Sequence, residues 1–121
     1  PMTVYGDGMQ KRAFSYIDDM MQPLLNAALS DKARNEIINL GGMKETALLD
    51  AAQMLSNITG NKGMQKLEER HEVKYAWSTY QKSVDLLGYT ETVSLEEGLK
   101  RMWVWAVQQP FRVRKYWTNI A

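Results

Sequence analysis

The sequence predicts one mixed α+β domain, on three observations. Apolar residues recur with helical spacing in several stretches, and short alternating or β-branched runs bounded by glycine lie between them. The 121 residues suffice for one core and are too few for two. Helical and extended runs alternate irregularly along the chain, so the expectation is α+β, or a piece of an α/β fold, with short strands and about four helices.

The elements follow in order. Met2 and Val4, then the alternation over 13–17, predict two short strands around the turn at Gly6, Asp7 and Gly8, where glycine permits positive φ. From Asp18 the apolar positions Met20, Met21, Leu24, Leu25, Ala28 and Leu29 predict a helix with Asp18 or Asp19 as its cap; Pro23 should kink it or mark its first turn. Residues 36–40 are β-branched and end at Gly41 and Gly42, which predicts a strand. Thr46 can cap a second helix that turns Leu48, Ala52 and Leu55 inward and stops at Gly60. Residues 72–78 form a further strand candidate, followed by a short helix over 79–87 ending at Gly88. In the last helix, Ser94 and Glu97 make a capping box, Leu95, Leu99, Met102 and Ala106 make a stripe, and Pro110 is the stop. No internal repeat is visible.

Composition narrows the function classes. The 45% apolar and 24% charged content is that of an ordinary globular chain. A net charge of +1 provides no field that would draw it to nucleic acid or an anionic membrane, so specific sites must carry any anion binding. The lack of cysteine excludes disulfides, thiolate metal sites and cysteine nucleophiles, and fits a reducing, cytoplasmic setting. The unbroken apolar run from Met102 to Val107 is far short of the roughly 20 residues that a membrane span needs. The start at Pro1, inside a strand-like run without a signal-peptide pattern, is expected of the tail of something longer.

Among single motifs, GDGMQKR (6–12) resembles a phosphate loop only superficially. A strand and about ten residues separate its glycines from the next helix, and neither GxGxxG nor GxxxxGK[ST] is matched. Arg12 is the better anion ligand, because a guanidinium grips two phosphate oxygens at once; a salt bridge to Asp18 or Asp19 is its bland alternative. His71, the one histidine, sits among Glu68, Glu69 and Glu72 with no nucleophile placed by a motif, and a half-exposed structural role is expected, without metal. The tail over 110–117 interleaves cations with aromatics, but with the rest of the surface near neutral Phe111 and Trp117 are expected to pack on the domain. Trp103 and Trp105 are expected in a core or domain interface. The sequon at Asn57 carries no meaning in a cytoplasmic protein.

Two separated segments carry more information together. MTVYGDGMQKRAFSYIDDM (2–20) and RHEVKYAWSTYQKSVDLLGYTETVSLEEGLKRMWVW (70–105), with Asn39-Leu40-Gly41 between them, resemble the C-terminal part of the extended short-chain dehydrogenase/reductase family, the NAD-dependent nucleotide-sugar epimerases and dehydratases. The resemblance runs in order over nearly the whole chain. It implies that residues 1–121 are the nucleotide-sugar-binding part of an α/β Rossmann-type enzyme whose N-terminal NAD-binding domain lies elsewhere. It also implies that residues 36–40 belong to the large parallel sheet, leaving an unpaired edge here.

Residue by residue, the resemblance implies that the backbone at Val4 and Tyr5 pairs with the uracil of a UDP-sugar. Arg12 and Arg70 then clamp the diphosphate, Glu72 accepts from ribose hydroxyls, and Gln10 and Phe14 complete the substrate site. Thr79 departs from the family, where Asp is common. The catalytic Tyr-x-x-x-Lys pair and the glycine-rich NAD loop are absent from these residues: Tyr5, Tyr16, Tyr75, Tyr80, Tyr89 and Tyr116 all lack a lysine four positions on. NAD is therefore expected of the full-length enzyme and not of this chain, which has no catalytic residue of its own. The alternative is a stand-alone, non-catalytic module of the same fold that self-associates; in either case a homodimer is an expected partner state.

Overall fold

The computed structural model describes residues 2–61 and 63–109. Pro1 and the basic, aromatic tail with Phe111 and Trp117 lie outside the described residues. Along the chain run β1 (Met2–Tyr5), β2 (Lys11–Ala13), α1 (Ile17–Leu29), a 3-10 turn (Asp31–Ala33), β3 (Glu45–Ala47), α2 (Leu48–Thr59), β4 (Met64–Leu67), β5 (Tyr75–Ala76), α3 (Gln81–Leu87) and α4 (Leu95–Gln108). The mixed α+β class and the four α-helices are as expected.

The strands form two small sheets. β1 pairs in parallel with β4, Met2 opposite Met64 and Tyr5 opposite Leu67. β2 is the centre of the other sheet, antiparallel to β3 with Arg12 opposite Thr46, and parallel to β5 with Arg12 opposite Ala76. Thr46 therefore lies in a strand and does not cap α2, whose N-cap is Ala47. The first amides of α2 are satisfied from the glycine turn: Leu48 N donates to Gln10 O (3.0 Å) and Leu49 N to Gly8 O (2.9 Å). Gly60 and Gly88 end α2 and α3 in the left-handed conformation, as expected.

Other expectations need correction. Residues 36–40 form no strand: they run as coil with Ile37 89% exposed, because β propensity yields a strand only against a ladder partner, and none of the described strands lies beside them. The segment is held through its glycines, since a Cβ on Gly41 would overlap Ser78 and one on Gly42 the Phe14 carbonyl. β2 covers 11–13, not the alternating run to Ile17, and β5 is two residues long. β4 has no clear sequence signal. Neither Asp18 nor Asp19 caps α1, which starts after Tyr16 without a side-chain cap, and Pro23 is a buried residue in its second turn.

Asp19 reaches across instead. Its carboxylate accepts from the Thr92 amide (3.1 Å), the Val93 amide (3.0 Å) and the Thr92 hydroxyl, tying the loop before α4 to α1. Asn26 adds a bond from Nδ2 to Leu87 O (2.7 Å), which holds α1 to the end of α3. Ser94 Oγ accepts from Glu97 N, while the Glu97 carboxylate takes Arg101 Nε at 2.7 Å rather than reaching back. Among the described residues the buried apolar set is small: Val4, Ala47, Leu87, Tyr89 and Val93. The α1 stripe does not contribute to it, because Ile17, Met21, Leu24, Leu25 and Leu29 are 52–76% exposed.

Burial pushes the Asp19 carboxyl up, but the bonds from Thr92 and Val93 and the Arg101 charge outweigh this and hold its pKa below the usual carboxylate range. A depressed native pKa stabilises the fold above the unfolded value, and that stability is lost as pH falls through the native one. Asp19→Asn should therefore cost roughly 1–2 kcal/mol at pH 7. The gap to the parent should narrow in urea titrations carried down toward about pH 3.

Candidate functional site

The residues singled out from sequence separate into two places. A cleft of about 190 Å³ has Tyr5, Gly6, Asp7, Met9 and Gln10 on one wall and Glu69, Arg70, Glu72, Lys74 and Tyr75 on the other. The first wall is the end of β1 and the glycine turn; the second is the strap between β4 and β5. Gly6 N donates to Leu67 O (3.0 Å) and Lys11 N to Lys74 O (2.8 Å), which fixes the strap to the turn at both ends.

The backbone of β1 is half engaged. Met2 N donates to Gly63 O (2.8 Å) and Gly6 N to Leu67 O, so the even-numbered residues bond toward β4 and the Tyr5 carbonyl points to the other edge. There it accepts from Gln10 Nε2 at 3.2 Å. The Arg70 guanidinium lies over the Tyr5 ring, 3.2 Å from its centroid, a cation–π contact across the cleft. Asp7 Oδ1 accepts from Met9 N (2.8 Å) and so shapes the turn.

Arg12 stands behind this strap. Its Nη1 donates to Lys11 O (2.8 Å) and its Nη2 to Glu72 Oε2 (3.4 Å), with the two side chains 25% and 34% exposed. Glu72, not Asp18 or Asp19, is thus its carboxylate partner; Asp18 pairs with Arg101. Val4 is a buried core residue whose side chain packs toward Gly8. Phe14 lies apart from the cleft, in a second, apolar cavity of about 630 Å³ with Tyr16, Ile17, Leu99, Met102 and Trp105. α4 approaches Tyr16 through Gly98, where a Cβ would stand 2.9 Å from the ring.

Glu69, Lys74, Tyr75 and Asp7 were not among the residues expected in the site. Arg70, Glu72 and Lys74 recur with a spacing of two, a strand-like period that could have placed Lys74 on the same wall. Tyr75 meets Trp77 edge-on at 5.8 Å, and the two are 60% and 50% exposed. His71 is exposed and lines neither cavity. Among the described residues no group of three His, Cys, Asp or Glu gathers as metal ligands. No helix among them is long and apolar enough to cross a membrane.

The glycine turn does not fit a dinucleotide. Gly6 and Gly8 have φ of +63° and +76°, but β2 follows them and no helix N-terminus faces out over the turn. The nearest helix start, that of α2, already bonds the turn's own carbonyls. Gly8 is glycine for packing, since a Cβ would lie 2.8 Å from Val4 Cγ1 and 2.9 Å from Leu49 Cβ. Gly8→Ala should therefore destabilise the fold by about 2–4 kcal/mol, from overpacking and positive φ together. Thermal unfolding will show this without any ligand, and an unchanged Tm would contradict the packing role.

No family model matches the chain. It is 36% identical over 109 residues to UDP-glucuronate 4-epimerase of Thermodesulfobacterium geofontis, covering 88% of this chain and 33% of that protein. It is 32% identical over 102 residues to UDP-glucuronic acid decarboxylase 1 of Danio rerio, covering 83% of this chain and 24% of the relative. Among solved structures, UDP-glucuronic acid 4-epimerase from Bacillus cereus, in complex with UDP-glucuronic acid and NAD, superimposes with a TM-score of 0.77 at 37% identity. That match covers 89% of this chain and 35% of the epimerase. By sequence and by fold, the chain belongs to the extended short-chain dehydrogenase/reductase family, whose matched members are UDP-sugar epimerases and decarboxylases, and it spans about a quarter to a third of the length of these relatives.

Proposed function

We propose that residues 1–121 are one nucleotide-sugar-binding unit of an NAD-dependent epimerase or decarboxylase, holding the substrate while the redox chemistry is supplied from outside these residues. The observation that carries this reading is the cleft itself. It joins Tyr5 and Gln10 from the first segment with Arg70 and Glu72, some sixty residues further on, around a polar hollow. These are residues on which the resemblance to the family rests.

The chemistry of the walls suits a UDP-sugar. Arg70 on the wall, and Arg12 behind it once it parts from Glu72, can each give a charge-assisted contact to the diphosphate, which offsets the cost of stripping water from its oxygens. The outward edge of β1 at Tyr5 offers backbone groups to a uracil, and Glu72 offers acceptor oxygens to ribose hydroxyls. Gln10 already holds the Tyr5 carbonyl and positions that edge. Phe14 and the apolar cavity beside it would lie toward the sugar end, away from Arg12 and Arg70. Hydride transfer needs NAD against the sugar and a tyrosine acid/base, neither of which these residues can supply.

A self-associating, non-catalytic module is the second reading, and the exposed apolar faces of α1 and α4 favour it. Calorimetric titration with UDP and UDP-glucuronic acid separates the two. The nucleotide-site reading expects saturable binding by the chain and a loss of at least about thirtyfold in affinity in the Arg12→Ala, Arg70→Ala double variant. Binding that the double variant retains, or none at millimolar ligand, would contradict it.

A further inference from the structure

We propose that Glu72 is a specificity-determining residue that admits nucleoside diphosphates to the cleft and disfavours bare phosphate anions. This rests on the nucleotide-site reading above and adds a role for the Arg12 to Glu72 pair. Both arginines of the site have an internal partner: Arg12 Nη2 lies 3.4 Å from Glu72 Oε2, and the Arg70 guanidinium covers the Tyr5 ring. The first pair is partly exposed and loosely closed, so it is of the weak, easily exchanged kind.

An anion that takes Arg12 must displace Glu72, whose carboxylate then stands within a few ångströms of the newcomer and repels it. Asp7 and Glu69 on the walls add to that repulsion, against Arg70 and Lys74. Inorganic pyrophosphate keeps a P–OH at neutral pH, but it can turn that donor to the freed carboxylate only by bringing its own negative oxygens alongside, so repulsion accompanies the contact. A nucleoside diphosphate brings two ribose hydroxyls, and a carboxylate accepts from both. The energetic penalty of parting Arg12 from Glu72 is thus relieved only by ligands that carry the sugar. Glu72 selects by what it loses as well as by what it binds.

The test is a calorimetric titration of UDP and of inorganic pyrophosphate into the parent chain and Glu72→Gln, which keeps length and an acceptor oxygen and removes the charge. Glu72 is at the surface, so the variant should fold; circular dichroism checks this, and Glu72→Ala is the second variant. The expected result is a pyrophosphate affinity at least about fivefold higher in Glu72→Gln, with UDP gaining less, so that the preference for UDP falls about fivefold or more. Adding Arg12→Ala to Glu72→Gln should abolish the pyrophosphate gain. A preference that stays level or rises, or a gain that survives the loss of Arg12, overturns the filter. If UDP binding still depends on Arg12 and Arg70 in that case, the nucleotide site stands without it. If neither UDP nor pyrophosphate binds parent or variant at millimolar concentration, the filter and the nucleotide site fall together.

Discussion

The carbonyls of Gly8 and Gln10 accept the first amides of α2, and the arrangement of the cleft depends on that contact. It anchors the glycine turn to a helix, and Gly8, without a Cβ, lets Val4 and Leu49 close beneath it. With the turn held from below, the end of β1 projects Tyr5 on one side and Gln10 returns to grip its carbonyl. The strap over 69–75 is then tied down at both ends, by Gly6 to Leu67 and Lys11 to Lys74, and it brings Arg70 over Tyr5. A sequence that looks like a phosphate loop thus works by the opposite polarity. Its carbonyls face a helix start, and most of the charged groups lining the cleft come from a neighbouring segment.

The rest of the fold is unbalanced. Among the described residues few apolar side chains are buried, while α1 presents a row of them and α4 exposes Trp103, Trp105 and Val107. A two-stranded parallel sheet is also unusual alone, since parallel strands are normally covered on both faces and flanked by others. Exposed faces of this sort mark contact surfaces. They agree with the proposed role as one portion of a larger enzyme, and with the share of its relatives that the chain spans.

Helices were readable because their signals are local. The Ser94 cap, the glycines at 60 and 88 and the helical spacing of apolar residues each act within a few positions. Strands were not, because a strand is defined by its partner. Residues 36–40 have the composition of a strand and no ladder, whereas β4 has an undistinguished sequence and pairs with β1 through its whole length. The apolar stripe on α1 gave the helix correctly but not its surroundings, since periodicity identifies a face and not what covers it. For the site, Tyr5, Gln10, Arg70 and Glu72 line one cleft, Arg12 adjoins it through Glu72, and Phe14 lies in a separate apolar cavity. The pairing of Arg12 with Glu72 could not be read from residues sixty positions apart.

The most direct test of the account is amide NMR of the isotope-labelled chain during titration with UDP. The cleft reading predicts fast, saturable shifts at Tyr5, Gly6, Gln10 and the strap residues from Glu69 to Tyr75, with Leu99 and Met102 beside the apolar cavity unmoved by UDP alone. Shifts that map to α2, or to the apolar cavity with the strap silent, would contradict it.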